Sequence, residues 1–168
     1  TQGFGKNRLE LMYNDFILVG PESDPAGLLG SRDVITAFQG LAAKPSLFVS
    51  RGDNSGTHKA ELRLWQRAGV NIEKLENTSY REVGAGMGRT LNIAASLNAY
   101  TLVDRGTWLS FKNRQNLKIF VEGDSRLFNQ YSVITLDHKR YPHLNHRGAE
   151  LLALWLASDA GQAAIADF

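Results

Sequence analysis

The stretch that most constrains how this chain can fold is a strand, a turn and a helix in direct succession. Leu47-Phe48-Val49 is a short apolar run of strand type, and Ala60 to Ala68 follows helical spacing. In that helix Ala60, Leu64 and Ala68 share a face flanked by Trp65, and Gly69 is a good C-terminal stop. Between the two runs lies Ser50-Arg51-Gly52-Asp53-Asn54-Ser55-Gly56-Thr57-His58-Lys59. A helix N-terminus carries unpaired backbone N–H groups and roughly half a positive charge, so such a turn suits an anion.

The same alternation runs through the rest of the chain. Residues 1–8 read as a loop, and Leu9 to Val19 as a strand that ends at Gly20-Pro21, with a bend at Asn14-Asp15. A loop from Pro21 to Gly30 precedes a helix capped by Ser31 or Asp33, with Val34, Ala37, Phe38, Leu41 and Ala42 on one face and Pro45 closing it. Ser79 to Val83 is a short strand ahead of Gly84-Ala85-Gly86-Met87-Gly88, a glycine turn that opens a helix bearing Leu91, Ala94, Ala95 and Asn98. Tyr100 to Val103 is a strand, and Asp104-Arg105-Gly106 turns the chain toward strands at Leu117 to Val121 and Tyr131 to Leu136. Asn145 caps a helix with Leu151, Leu152 and Trp155, and Ser158 caps a last turn through Ile165. Strands alternating with helices predict an α/β fold with largely parallel sheets.

Composition narrows the function classes. A net charge of +2 over 168 residues, with 19 basic side chains interspersed among 17 acids, does not argue for nucleic acid as a partner. No apolar run approaches the ~18 residues of a membrane span. Without cysteine there is neither a disulfide nor a thiolate metal site. The chain opens on Thr1 rather than Met and stops at Phe168 inside a helical pattern, as expected of a processed or truncated piece.

The central turn carries the chemistry. Arg51 can donate two parallel hydrogen bonds to an oxyanion, Ser55 and Thr57 add hydroxyl donors, and Gly52 and Gly56 let backbone N–H groups approach. Asp53 would repel a dianion, and is expected to orient Arg51 or to cap the following helix. The same residues also suit an ordinary capped turn, where Ser, Asp, Asn and Gly are common. Arg51-Gly52-Asp53 spells an integrin-binding tripeptide, a match that three residues make by chance. A Walker A loop is excluded because Thr57-His58-Lys59 follows Gly56 where Lys-Ser/Thr belongs. Gly52 to Gly56 is similar to a serine-protease nucleophile loop with one extra residue, which leaves Ser55 with His58 as a candidate hydrolase pair. For His58 a polar position on the helix surface is the expected setting. The Gly84 to Gly88 turn fails the dinucleotide fingerprint because Arg89 stands at its last glycine; a helix-opening glycine turn can supply backbone donors to the same ligand, with close packing the favoured reason for these glycines. His138, His143 and His146 lie among polar residues without an acidic partner at ligand spacing, which predicts a surface loop and no metal site.

Four blocks in order carry a resemblance to a known family. They are Met12-Tyr13-Asn14-Asp15-Phe16 with Val19-Gly20-Pro21; Ser50-Arg51-Gly52-Asp53-x-Ser55-Gly56-Thr57-His58; Gly84-x-Gly86-Met87-Gly88 with Thr90-Leu91 and Ala99-Tyr100-Thr101-Leu102-x-Asp104-Arg105-Gly106-Thr107; and Val121-Glu122-Gly123-Asp124 with Leu127-x-Asn129-x-Tyr131. Together they resemble the tungstate-binding proteins, the extracytoplasmic receptors of tungstate ABC importers. The resemblance implies a type II periplasmic-binding-protein (Venus-flytrap) fold whose ligand sits between two lobes. It implies residues 1–20 as a remnant of the first lobe with a hinge strand, 21–116 as the anion-binding lobe, and 117–168 as the return hinge and C-terminal part of the first lobe. Arg51, Ser55, Gly56 and Thr57 would hold the anion, supported by Asp53, Ser50, Gly86 and Met87. Family members begin with a strand, a Thr/Ser-rich anion loop and a helix ahead of the segment matching Gly3-Phe4-Gly5, so this chain is expected to carry one full lobe and part of the other. Gln130 stands where the family would have proline.

The implied partners are an oxyanion and an ABC permease, at a periplasmic, extracellular or cell-surface location. Any membrane tie would run through the permease or a lipid anchor upstream. No cofactor is expected, since tungstate or molybdate is the ligand, with phosphate or another oxyanion as the alternative. Tungstate and molybdate are fully deprotonated at neutral pH and only accept hydrogen bonds. A purely donating site favours them over hydrogen phosphate, whose proton needs an acceptor. Asp53 is the residue on which that distinction turns.

Overall fold

The structure, a computed structural model, describes residues 3–76 and 78–167. The chain divides into two compact units, Asp15–Phe128 and Thr1–Asn14 with Asn129–Phe168. Strand β1 (Gly5–Pro21) passes from one to the other.

In the larger unit the four successive apolar residues Phe16, Ile17, Leu18 and Val19 of β1 are all buried, which requires cover on both faces of the sheet. Side chains alternate along a strand, and here the alternation sorts two cores. Phe16 and Leu18 pack with residues of α1 (Val34–Ala43) and α2 (Gly56–Arg67), whereas Ile17 and Val19 pack with α3 (Met87–Ser96) and Trp108 of α4 (Arg105–Ser110). The result is three layers, helix on sheet on helix. β1 lies between β4 (Thr101–Asp104) and β5 (Leu117–Val121), antiparallel to both, with Ile17 opposite Val103 and Leu18 opposite Val121. β2 (Phe48–Ser50) and β3 (Tyr80–Glu82) run parallel, and a parallel bridge between Phe48 and Tyr100 joins β2 to the residue just ahead of β4. The expectation of largely parallel pairing therefore fails around β1. This long strand runs opposite to its neighbours, a direction that residue patterning does not encode.

Local chemistry fixes the helix ends. Asp33 caps α1 by accepting from the Thr36 N–H at 2.7 Å, and Asp124 accepts from the Val34 N–H at 2.9 Å. Arg126 bridges both carboxylates. The predicted turn at Asp104-Arg105-Gly106 is instead the start of α4, capped by Asp104, which accepts from the Thr107 N–H at 2.8 Å. Six residues are too few to show helical periodicity.

In the smaller unit β1 pairs with β6 (Phe128–Leu136). Residues 5–8, read as loop, belong to β1, and the Thr135 hydroxyl donates to the Lys6 carbonyl at 3.1 Å. Gln130, at the family's proline position, donates its amide to the Met12 carbonyl at 2.8 Å. Helices α5 (His146–Ala157) and α6 (Asp159–Ala166) are capped by Asn145 and Ser158, as expected. Leu151, Leu152, Leu154 and Trp155 of α5 are exposed. His138 and His143 are exposed and His146 opens α5. Among the described residues no helix is long and apolar enough to cross a membrane.

Tyr100 is fully buried, and its ring lies against Gly20 of β1 so closely that a Cβ there would come within 2.1 Å of it. Its hydroxyl donates to Asp24 at 2.7 Å, which leaves the ring little room to retreat. Gly20→Ala is therefore expected to cost about 1–3 kcal/mol through overpacking. Urea unfolding should report this as a lower midpoint at unchanged slope.

Candidate functional site: an anion shelf at two helix N-termini

Because β2 and β3 are parallel, Ser50 and Glu82 end side by side, and each strand leads into a turn and then a helix. The turns are tied together, since Val83 N–H donates to the Ser50 carbonyl and Ala85 N–H to the Arg51 carbonyl, both at 3.1 Å. The N-termini of α2 and α3 thus open on the same edge of the sheet. The carboxyl edge of parallel strands is where α/β folds place ligands.

Ser55 caps α2, accepting from the His58 N–H at 3.3 Å, while the N–H groups of Gly56 and Thr57 have no acceptor among the described residues. At α3 the cap is Gly86, which has no side chain to offer, so the N–H groups of Met87, Gly88 and Arg89 are likewise unpaired. An added Cβ at Gly56, Gly84, Gly86 or Gly88 would meet nothing within 4 Å. Close packing is therefore not the reason for the glycines of the second turn, contrary to expectation. Gly84, with φ of +60°, is held to glycine by its backbone alone, whereas Gly52 combines φ of +58° with a close approach, a Cβ there lying 2.6 Å from that of Glu82. Only glycine suits that position.

Arg51 is paired with Asp53, whose Oδ2 accepts from Nη2 at 2.5 Å and from Nε at 3.1 Å. The other oxygen of Asp53 accepts from the Ser55 N–H at 3.2 Å. Desolvation would raise the Asp53 pKa, but the bonds from Ser55 and Arg51 outweigh it and hold the carboxyl down at about 2. Asp53 is thus ionised at neutral pH, orients Arg51 and braces the α2 cap.

Beneath the turn lies a residue that sequence reasoning missed. Glu61 of α2 is only 2% exposed and accepts three bonds, from Ser50 Oγ at 2.7 Å, Tyr80 OH at 2.8 Å and Trp65 Nε1 at 3.1 Å. Desolvation pushes its carboxyl up to about 7 against the opposing effect of those donors. The available signal was a glutamate one residue after Ala60 on the apolar face of α2 and four before Trp65, a spacing at which helical side chains meet.

The sequence-predicted residues fall into three groups. Arg51, Asp53, Ser55, Gly56 and Thr57 form one turn, with Thr57 buried. The hydroxyl of Ser50 is directed at Glu61, and the Met87 side chain belongs to the core, so Met87 presents only its backbone N–H at the helix opening. His58 is buried rather than on the helix surface; its Nδ1 accepts from the Asn54 N–H at 3.1 Å, and its Nε2 lies 3.3 Å from Glu82 Oε1 without a well-aligned hydrogen bond. The ring is thus engaged away from Ser55, whose oxygen accepts from the backbone of His58, so these two residues do not form a nucleophile–base pair. His138 and His146 line a concavity of about 410 Å³, and Tyr80, Arg81 and Glu82 line one of about 370 Å³; Arg51 lines neither.

The unit is α/β, with the N-termini of α2, capped by Ser55, and of α3, without a side-chain cap, on one sheet edge. The family model described as a PBP superfamily domain matches residues 1–160, and the chain belongs to that superfamily. It is 42% identical to the tungstate-binding protein TupA of Peptoclostridium acidaminophilum over 168 residues, covering 99% of this chain and 58% of that protein. It is 43% identical to a putative ABC transporter anion-binding protein of Haloferax volcanii, covering 99% of this chain and 49% of that one. Among solved structures, the tungstate-binding protein TupA of Desulfovibrio alaskensis superposes with a TM-score of 0.81 at 45% identity, over 99% of this chain and 67% of that one. The chain thus spans about half the length of the curated relatives it matches.

The folded pKa of Asp53 lies below its ordinary value, so its stabilising contribution is present above about pH 3.8 and is lost as the pH falls through about 2. Asp53→Asn is expected to lower stability at pH 7 by on the order of 1 kcal/mol, with the gap closing toward pH 2. Thermal unfolding of both proteins across that range measures it.

Proposed function

We propose that this chain carries the anion-holding part of an extracytoplasmic tungstate receptor that serves an ABC importer. The observation that carries the proposal is the convergence of five unpaired backbone N–H groups, from Gly56, Thr57, Met87, Gly88 and Arg89, with Arg51 on one sheet edge. A dianion there would receive hydrogen bonds from two helix ends and from the free side of the guanidinium. Charge-assisted bonds contribute about 1.5–3 kcal/mol each and a helix terminus about 0.3–2. Ser55 is assigned to the same contact set, Asp53 to holding the guanidinium, and Ser50 and the Gly86-Met87 turn to support. Binding without chemical turnover is the activity, since the site offers donors and no assembled nucleophile.

The names of the relatives support tungstate as ligand and a permease as partner. The domain reading also stands as a proposal: residues 21–116 as the anion-binding lobe, with 1–20 and 117–168 supplying the hinges and part of the other lobe. The exposed Leu151, Leu152, Leu154 and Trp155 support it, because a face this apolar belongs against further protein. The facing half of the cleft is then assigned to the part of the relatives that this chain does not match. Preference for tungstate or molybdate over hydrogen phosphate follows from Asp53, whose two oxygens are already committed to Arg51 and Ser55.

Calorimetry on the full-length protein is expected to give tighter binding of tungstate and molybdate than of sulfate or phosphate. Arg51→Ala should weaken tungstate binding by at least ~1.5 kcal/mol, roughly tenfold. A nanomolar preference for phosphate would overturn the ligand assignment, and an unchanged affinity in the variant would remove Arg51 from the site.

A further inference from the structure

The three donors to Glu61 come from three different elements. Ser50 ends β2, Tyr80 begins β3, and Trp65 lies one turn further along α2. The carboxylate therefore ties together the two strands and the helix whose ends form the anion shelf. It reaches the turn itself in two bonds, because Ser50 Oγ also accepts from the Gly52 N–H at 3.3 Å. We propose that Glu61 is a positioning residue for the oxyanion turn, and that occupation of the turn by a dianion draws one proton from solvent onto the Glu61 carboxyl. This inference rests on the oxyanion-receptor reading and deepens it.

The charges around Glu61 argue for uptake. All three hydrogen-bond partners are neutral. From β3, Glu82 is a further acid, with Oε1 3.5 Å from the Tyr80 hydroxyl. His58, one turn earlier on α2, faces Glu82 rather than Glu61. Arg51, the cation of the adjoining turn, is bound to Asp53. Glu61 is thus a carboxyl taken out of water with no cation beside it among the described residues, and burial pushes it up to about 7. A dianion at the N-terminus of α2 adds like charge across protein rather than water, which favours the protonated acid. The proton step balances simply. Glu61 Oε2 gains a hydrogen and donates it to Ser50 Oγ, and the Ser50 hydrogen, until then directed at the carboxylate, is released to donate elsewhere in the turn.

The sign of the pH dependence follows. Above about pH 7 the free protein holds Glu61 ionised, so binding must recruit a proton and tungstate affinity falls as the pH rises. One proton per anion corresponds to about tenfold per pH unit until the acid of the loaded state also ionises. The test is calorimetry of sodium tungstate with the full-length protein from pH 7 to 9, repeated in two buffers of different ionisation enthalpy to count protons. Wild type is expected to take up close to one proton near pH 8. Glu61→Gln, which keeps an acceptor for Tyr80 and Trp65, should take up none and give a flat affinity profile. Tyr80→Phe deletes one donor to the ionised form and should move the onset of the slope to higher pH, a shift that a merely structural role would not produce. Wild-type binding without proton uptake overturns the inference and leaves the receptor reading standing. So does a Glu61→Gln protein with the wild-type slope, or a Tyr80→Phe protein with an unmoved onset. Absence of tungstate binding by wild type at every pH overturns the receptor reading itself.

Discussion

Tyr100 is where the parts of the sheet are joined. Its N–H donates to the Leu47 carbonyl at 2.8 Å and its carbonyl accepts from Val49 at 2.8 Å, which aligns β2 with the chain entering β4. Its ring fills the space left by Gly20 on β1, and its hydroxyl donates to Asp24 while accepting from the Ala26 N–H at 3.2 Å. Two backbone bonds, one close packing contact and two bonds at the hydroxyl thus act on a single residue. The edge on which both helix ends open depends on that alignment.

At the shelf the electrostatics are balanced rather than uniformly positive. Unpaired N–H groups and Arg51 attract an anion, while Asp53, Glu82 and Glu61 stand close behind them. Each acid has a separate structural reason to be there. Asp53 fixes a guanidinium that would otherwise sample many rotamers, Glu61 binds three elements together, and Glu82 packs against the left-handed Gly52. A turn assembled this way is held in shape by the chain's own bonds, which would lower the ordering cost of binding the proposed anion.

Much of this was legible in the sequence. Helical spacing, caps at Asp33, Asn145 and Ser158, and the turn between β2 and α2 all rest on local chemistry, and local chemistry is written in neighbouring residues. The superfamily was legible too, from the ordered motif blocks. What escaped depends on distant partners. Residues 5–8 look like a loop until β6 pairs with them, and α4 is too short to show a period. The direction of β1 against its neighbours leaves no mark on its composition. His58 looks like a surface residue of a helix, because nothing near it announces that Glu82 of β3 will lie against it, and Glu61 carries a local signal only toward Trp65, since Ser50 and Tyr80 come from distant strands.

The division of the chain has a consequence for the cost of closing its loops. Asp15–Phe128 is continuous, whereas the other unit is made from Thr1–Asn14 and Asn129–Phe168. Closing a loop costs entropy that grows with its length, and the cost is reduced when the intervening chain has already collapsed and brought its ends near each other. The continuous unit has its partners within one stretch of chain, so its loops cost less to close than the one between the first residues of β1 and β6. The turn at Ser50 lies wholly within the continuous unit, whereas the pairing of β1 with β6 joins residues as far apart as Lys6 and Thr135.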